Sequence, residues 1–422
     1  MAMKRMVVLT TLLAGGAMTA ITGCGQQAST TNNSTATSSG PVTINVAIQA
    51  AGNSSKALQQ AMAAFNKSHP NIHVVGSFYG TQNAYNQALL AKIAGGTPPD
   101  VFWVDAPEVS TYVKDHALMP LNSLIKQKNF PISSFESSLV NAFTVNKQIY
   151  AVPKDYNVSA LFYNKAMFAK ANLQPPKTWS QLTADAQKLT TKGVYGFGMY
   201  PQINYFYPFV ASAGGNFVTE SGIKNFNSPA QVKAIQMLQG LFKSKDAITP
   251  QMIGASWDGE MFGKQQVAML YSGSWIPASV QSLNSTMQIG VAPVPVPQAG
   301  DKPVSWSYTA GWGISSQSKN ASAALQFIKF MESPSELVKG YNQGFDGLPP
   351  TTDGMKALES SSPQIASQLK EYEKIVANSV SFGWLSTSFV NNYNNMLQSL
   401  VSNPNSNAQT AISQFASSQN LK

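Results

Sequence analysis

Four carboxylates, Asp105, Asp155, Asp258 and Glu260, are of the type that does acid–base work. A pair of them set about 5 to 10 Å apart across a sugar would cleave a glycosidic bond, but none of the four sits in a motif that supplies it with a partner. His69, His73 and His116 share no ligand-type spacing, so no metal site is expected. What stands out instead is flat rings. Trp103 lies two residues before Asp105, the run YPQINYFYPFVASAGGNF begins at Tyr200, a lone Trp275 follows GS, and SWSYTAGWGI carries Trp306, Tyr308 and Trp312. Rings suit the apolar C–H faces of a sugar, while amides, phenols and carboxylates suit its hydroxyls. A ring that hides about 60 Å² of apolar surface contributes about 1.5 kcal/mol. The same residues also suit a core, and for Trp103 and the 200–217 run that alternative stays open; Asp105 would equally serve as a helix N-cap.

The elements around these residues read as an α/β protein. TINVAI at 43–48 alternates like a strand, and Leu58, Met62 and Phe65 recur at helical spacing after a polar loop at 50–55. Strand–helix units recur at 72–78 with 85–94 and at 101–104 with a helix towards His116. In an open α/β sheet ligands gather at the loops after the strands, where Asn53 and Ser54 could offer hydrogen bonds. Residues 158–163 predict a buried strand preceded by a break at Pro153, and Thr178 with Gln181 predicts a capping box. A strand at 194–199 precedes the ring-rich run, and Ser228-Pro229 opens a helix with Val232, Ile235, Leu238 and Leu241 on one face. The prolines of 292–298 demand an extended connection. Residues 305–314 return towards the first strands, followed by helices at 321–331, 371–377 and 389–401.

The chain of 422 residues exceeds what one core usually serves, so two domains are expected. Its net charge of +9 does not signal nucleic acid: Arg5 is the only arginine, no lysine-dense run exists, and only 11% of residues are charged. The excess comes from a shortage of acids. Few carboxylates leave few groups to protonate, so stability is expected to change little on acidification. At the N-terminus Lys4 and Arg5 precede an apolar run at 7–20, the layout of a signal peptide. Residues 25–40, GQQASTTNNSTATSSG, read as a flexible tether reaching on the order of 20 to 25 Å. Cys24 is the single cysteine, so no intramolecular disulfide forms.

Several fragments in a fixed order carry a resemblance: GTPPDVFWVD at 96–105, YAVP at 150–153, ALFYNKAMF at 160–168, PPKTWSQL at 175–182, FGKQQVAM at 262–269, AALQFIKF at 323–330 and the GLPP turn at 347–350. Together they resemble the extracellular sugar-binding proteins that serve ABC importers, typified by maltodextrin-binding proteins, over roughly residues 43 to 415. ITGC at 21–24 resembles a bacterial lipobox, which makes Cys24 the lipidated N-terminus of the mature protein. The resemblance implies an α/β, type II periplasmic-binding-protein-like fold: a leader at 1–23, a tether at 24–40, one lobe from 41–153 with 305–350, and another from 154–304 with 351–422. It implies a cleft in which Trp275, Trp103, Asp105, Gln202, Tyr205, Tyr207 and Trp384 meet the ligand. Asn157 and Trp312, near the crossings, and Asn53 complete the candidate set. Gly52 and Asn53 stand where maltodextrin binders have an acid and a lysine, a departure that touches specificity. The implied protein is a monomer with no cofactor, metal or catalytic residue. It is held at the extracellular face of the cell membrane and hands a neutral sugar to the importer's membrane subunits. The same fold with a peptide, polyamine or osmolyte, or a surface glycoside hydrolase, are the alternatives.

Overall fold

The computed structural model describes residues 41–421 apart from 51, 220–221, 282, 344–346 and 382–384. In chain order the strands are β1 (Val42–Gln49), β2 (Ile72–Tyr79), β3 (Val101–Asp105), the small hairpin β4 (Thr144–Val145) and β5 (Gln148–Ile149), β6 (Ala151–Asn164), β7 (Tyr195–Met199), a second hairpin β8 (Val218–Thr219) and β9 (Gly222–Ile223), β10 (Ala247–Ile248), β11 (Val267–Gly273), β12 (Ile289–Ala292), β13 (Ser305–Ile314) and β14 (Ser379–Val380). The main sheet runs β10-β7-β11-β6-β13-β3-β1-β2, with β12 added to β6 and β14 to β13.

Parallel neighbours β1, β2 and β3 are joined through the helices Gly52–Ser68 and Gln82–Ala94, as the first two strand–helix units predict. β6 and β13 are the long members and pair antiparallel in the middle of the sheet, each reaching into both halves. One end of β13 lies beside β3, and the far end of β6 lies beside β11 and β12. Leu348 exchanges both backbone hydrogen bonds with Tyr156, so a third segment meets the sheet at the same level. The apolar core divides accordingly. Clusters around Phe65, Trp312 and Phe327 and around Tyr85 and Phe102 flank β1 to β3, whereas clusters around Phe217 and Tyr393 and around Phe262 and Tyr372 flank β7 and β11.

Local chemistry fixes the ends of the elements. Thr178 Oγ1 accepts the Gln181 N–H while Gln181 Oε1 accepts the Thr178 N–H, completing the predicted capping box on the helix Trp179–Leu189. Ser228 caps the helix Pro229–Lys243 with Pro229 at its first position. Pro153 behaves differently from expectation: it does not precede a strand but lies within β6, where the register with β13 slips so that Ala310 faces Asp155 and Gly311 faces Pro153. A bulge absorbs the missing N–H without ending the strand. The ring-rich run is a helix, Ile203–Ser212, whose residues are almost all buried.

Candidate functional site

A continuous row of polar contacts crosses the middle of the sheet. Ser274, just after β11, donates its hydroxyl to Asn157 Oδ1 at 2.9 Å, and Asn157 stands opposite Tyr308 in the β6–β13 ladder. Opposed residues of an antiparallel pair share a face, so the Tyr308 ring lies beside Asn157; its phenol donates to Asp105 Oδ1 at the end of β3. Asp155, two residues before Asn157 on the same face, forms an ion pair with Lys154, and Gly347 approaches it so closely that an added Cβ would lie 2.6 Å from its Cβ. Glu108 follows Asp105 on a short 3₁₀ turn and accepts hydrogen bonds from Asn86 and Tyr112, each at 3.2 Å.

The carboxylates perturb one another. Burial, and then the neighbouring Glu108 and Asp155, push Asp105 up to about 7 against the opposing effect of the Tyr308 hydrogen bond. Burial raises Glu108 and Asp258 as well. Between the ordinary aspartate range and pH 7 the folded protein therefore holds a proton on Asp105 that the unfolded chain lacks. Stability must rise as pH falls through that window, by up to about 1.4 kcal/mol per pH unit for this group. The melting temperature is expected to be higher at pH 5 than at pH 8, with Asp105→Asn flattening the difference. A melting temperature that falls on acidification would refute the assignment.

Rings border this row. Trp275 is partly exposed, with its six-membered ring laid over Gly273, where a Cβ would meet it at 2.1 Å. Trp306, also partly exposed, is tilted against Tyr308 with centroids 6.0 Å apart. Tyr205 stacks on Tyr200 at 6.2 Å, and both phenols are raised, first by burial and then by Asp258, whose carboxylate accepts the Ser272 hydroxyl at 2.6 Å. A separate cavity of about 650 Å³, between β12, the 293–303 segment and the helix Ala366–Val376, contains none of these residues.

Rings, amides, hydroxyls and carboxylates are the groups that a solute-binding surface needs, and the comparisons identify the type of protein. Residues 51–337 match the profile described as bacterial extracellular solute-binding protein. The chain belongs to that family. Among curated relatives, the sn-glycerol-3-phosphate-binding periplasmic protein UgpB of Yersinia pestis is 32% identical over 201 residues, 43% of this chain and 45% of its own length. The chain thus matches less than half the length of that relative. Among solved structures, the ABC substrate-binding protein Lmo0181 from Listeria monocytogenes, in complex with cycloalternan, is 23% identical with a TM-score of 0.74, covering 90% of this chain and 100% of the other. The sugar-binding protein MalE from Xanthomonas citri is 17% identical with a TM-score of 0.77, covering 89% and 96%. At these identities the structures establish the fold, that of type II periplasmic binding proteins.

In this solute-binding protein the ten candidate ligand residues divide. Asp105, Asn157 and Trp275 are brought to the row just described. Gln202 is partly buried at the start of the helix Ile203–Ser212, and Tyr205 sits by Asp258 behind it. Asp105 makes no N-cap hydrogen bond; its carboxylate is taken by Tyr308. Four candidates are core residues, which corrects the expectation for them; one is Tyr205, 7% exposed in the cluster around Phe217 and Tyr393. Trp312 is fully buried and donates its indole N–H to Glu332 Oε1 at 2.6 Å. Tyr207 is fully buried, with its phenol on Asn216. Trp103 is only 6% exposed and meets the Tyr85 ring edge-on at 5.4 Å. Trp103 and Trp312 share a strand face with Asp105 and Tyr308, and Tyr205 and Tyr207 lie on a helix, so only the elements packed over them, which the sequence does not reveal, decide that these rings are core. The Asn53 side chain, Trp384 and Cys24 lie outside the described residues. Ser274 and Glu108 were not singled out from the sequence, although each neighbours a candidate: Ser274 precedes Trp275, and Glu108 lies three residues beyond Asp105.

Proposed function

We propose that this protein is the lipid-anchored extracellular solute-binding protein of an ABC importer, capturing a neutral sugar or oligosaccharide between two lobes and releasing it unaltered to the membrane subunits. The observation that carries the reading is the exposed side of the Trp275 ring beside the row Ser274, Asn157, Tyr308 and Asp105: a flat apolar plate next to hydroxyl, amide and carboxylate groups. The lobes are 41–153 with 305–350 and 154–304 with 351–422, and the three segments meeting near Tyr156 and Tyr308 are the hinge. Closure about it would bury the ligand on both sides and present a changed surface to the importer. The structural relatives named above are described with cycloalternan or as sugar-binding, which supports a carbohydrate. The glycerol-3-phosphate relatives point to an anionic ligand instead. The lack of any arginine beyond Arg5, with Lys154 already paired to Asp155, disfavours a phosphate here. The protein acts as a monomer held by acylated Cys24 at the outer face of the cell membrane, a periplasmic face if an outer membrane is present. Asp258 and Glu260 are engaged by Ser272 and Lys264, which supports binding without hydrolysis.

The cluster of Asp105, Glu108 and Asp155 favours a second reading, a cationic solute such as a polyamine. A thermal-shift panel separates the readings, because a ligand at 1,000 times its Kd stabilises by about 4 kcal/mol. Neutral oligosaccharides are expected to raise the melting temperature while spermidine and glycerol 3-phosphate leave it unchanged. A shift with spermidine alone selects the cationic reading, and release of shorter products from an oligosaccharide would make the protein an enzyme.

A further inference from the structure

A groove of about 670 Å³ contains none of the candidate-site residues. Its apolar wall is formed by Val42, Ile72, Phe130 and Phe330, and Lys128 and Lys329 stand exposed at its rim. Phe330 packs edge-on against Phe65 at 5.3 Å and against His69 at 5.8 Å, so the wall is a fixed part of the core rather than a loose flap. The charged side chains that line it are lysines, Lys128 and Lys329, beside His69. The elements that build this face are β1, the helix Gly52–Ser68, β2, residues 122–131 and the helix Ala321–Met331. They carry Lys56, Lys67, His69, His73, Lys126, Lys128 and Lys329, with Lys319 adjacent, and not one Asp or Glu. All the acids of the chain begin at Asp100. Three acids on neighbouring segments are engaged: Asp100 accepts from the Asn45 N–H and the Ser318 hydroxyl, Glu332 is buried against Trp312, where burial holds its carboxyl well above the usual range, and Glu336, on the helix Pro334–Gln343 that packs on Gly52–Ser68, is paired with Lys339.

We propose that this face docks on the outer surface of an anionic phospholipid bilayer. Lysines at the rim meet headgroup phosphates, and the phenylalanine-lined wall meets the apolar part of the interface. Two observations select this occupant. The lysine rim complements anionic headgroups, and the groove contains Val42, the second described residue, so the sequence leading back to Cys24 begins next to it. The inference rests on the lipid-anchor reading for its setting.

The test uses residues 24–422 carrying Cys24→Ser, which has no acyl acceptor, with phosphatidylcholine vesicles made with and without phosphatidylglycerol. Binding is expected only with phosphatidylglycerol and is lost at about 1 M salt, where the screening length is about 3 Å. Lys128→Gln with Lys329→Gln is expected to weaken partitioning by about 30-fold. Lys188→Gln with Lys243→Gln, exposed lysines on helices of the other lobe, should leave partitioning nearly unchanged. Equal losses in the two double variants, or equal binding to both kinds of vesicle, would overturn the proposal. Acylation itself is decided separately, by incorporation of labelled palmitate at Cys24 in the unaltered protein, so the two ideas fail independently.

Discussion

Trp312→Ala is expected to cost about 3–5 kcal/mol of stability while leaving the ligand affinity of the folded protein unchanged. The indole is fully buried on β13 between Phe327 and its neighbours, with ring centroids 5.8 Å apart. Truncation would leave a cavity, and it would also remove the N–H that Glu332 Oε1 accepts at 2.6 Å. A buried carboxyl without that donor adds to the cost. Denaturant unfolding with unchanged slope measures the loss, and titration calorimetry on the folded fraction measures affinity. A stability loss under about 1 kcal/mol would mean that the ring is not a core residue at all.

Trp275→Ala should do the reverse. The ring is partly exposed, and one of its faces covers Gly273. It also packs against two apolar clusters, so only its exposed part can meet ligand; about 60 Å² of apolar contact there is worth about 1.5 kcal/mol, roughly a tenfold loss of affinity. Exposing Gly273 would also wet the row from Ser274 to Asn157 and weaken hydrogen bonds to a bound solute. Titration of the preferred oligosaccharide checks this, and Trp275→Phe should recover part of the loss. An affinity within about twofold of the unaltered protein would remove Trp275 from the site.

The contrast between these two tryptophans shows what the sequence could say. Element positions were legible because they rest on local signals: the Thr178–Gln181 box, Ser228-Pro229, the alternation of 43–48 and the helical spacing of Leu58, Met62 and Phe65 all became the expected elements. The helices Pro334–Gln343, Thr352–Ser361 and Ala408–Ser418 went unread, since each is short, polar on one side and weakly marked by caps that resemble ordinary turns. The ring-rich stretch after Tyr200 hid a helix because Pro208 lies inside it. Site residues depend on which way a side chain points once distant strands pair. Trp103 and Asp105 are two residues apart on β3, yet one packs against Tyr85 and the other receives a hydrogen bond from Tyr308, more than 200 positions later. Nothing local encodes that meeting.

The central ladder has a consequence for how the chain comes to be folded. β3 finds its neighbour only in residues 310–314, and β6 finds its own in residues 307–313. Until Ile314 of 422 residues has been synthesised, neither strand is flanked on that side, and the first three parallel strands remain an open template with one unsatisfied edge. Such late pairing of remote segments slows compaction. A polypeptide that must be threaded through a membrane before it takes shape gains from that delay: it stays extended during passage and acquires its native topology on the far side.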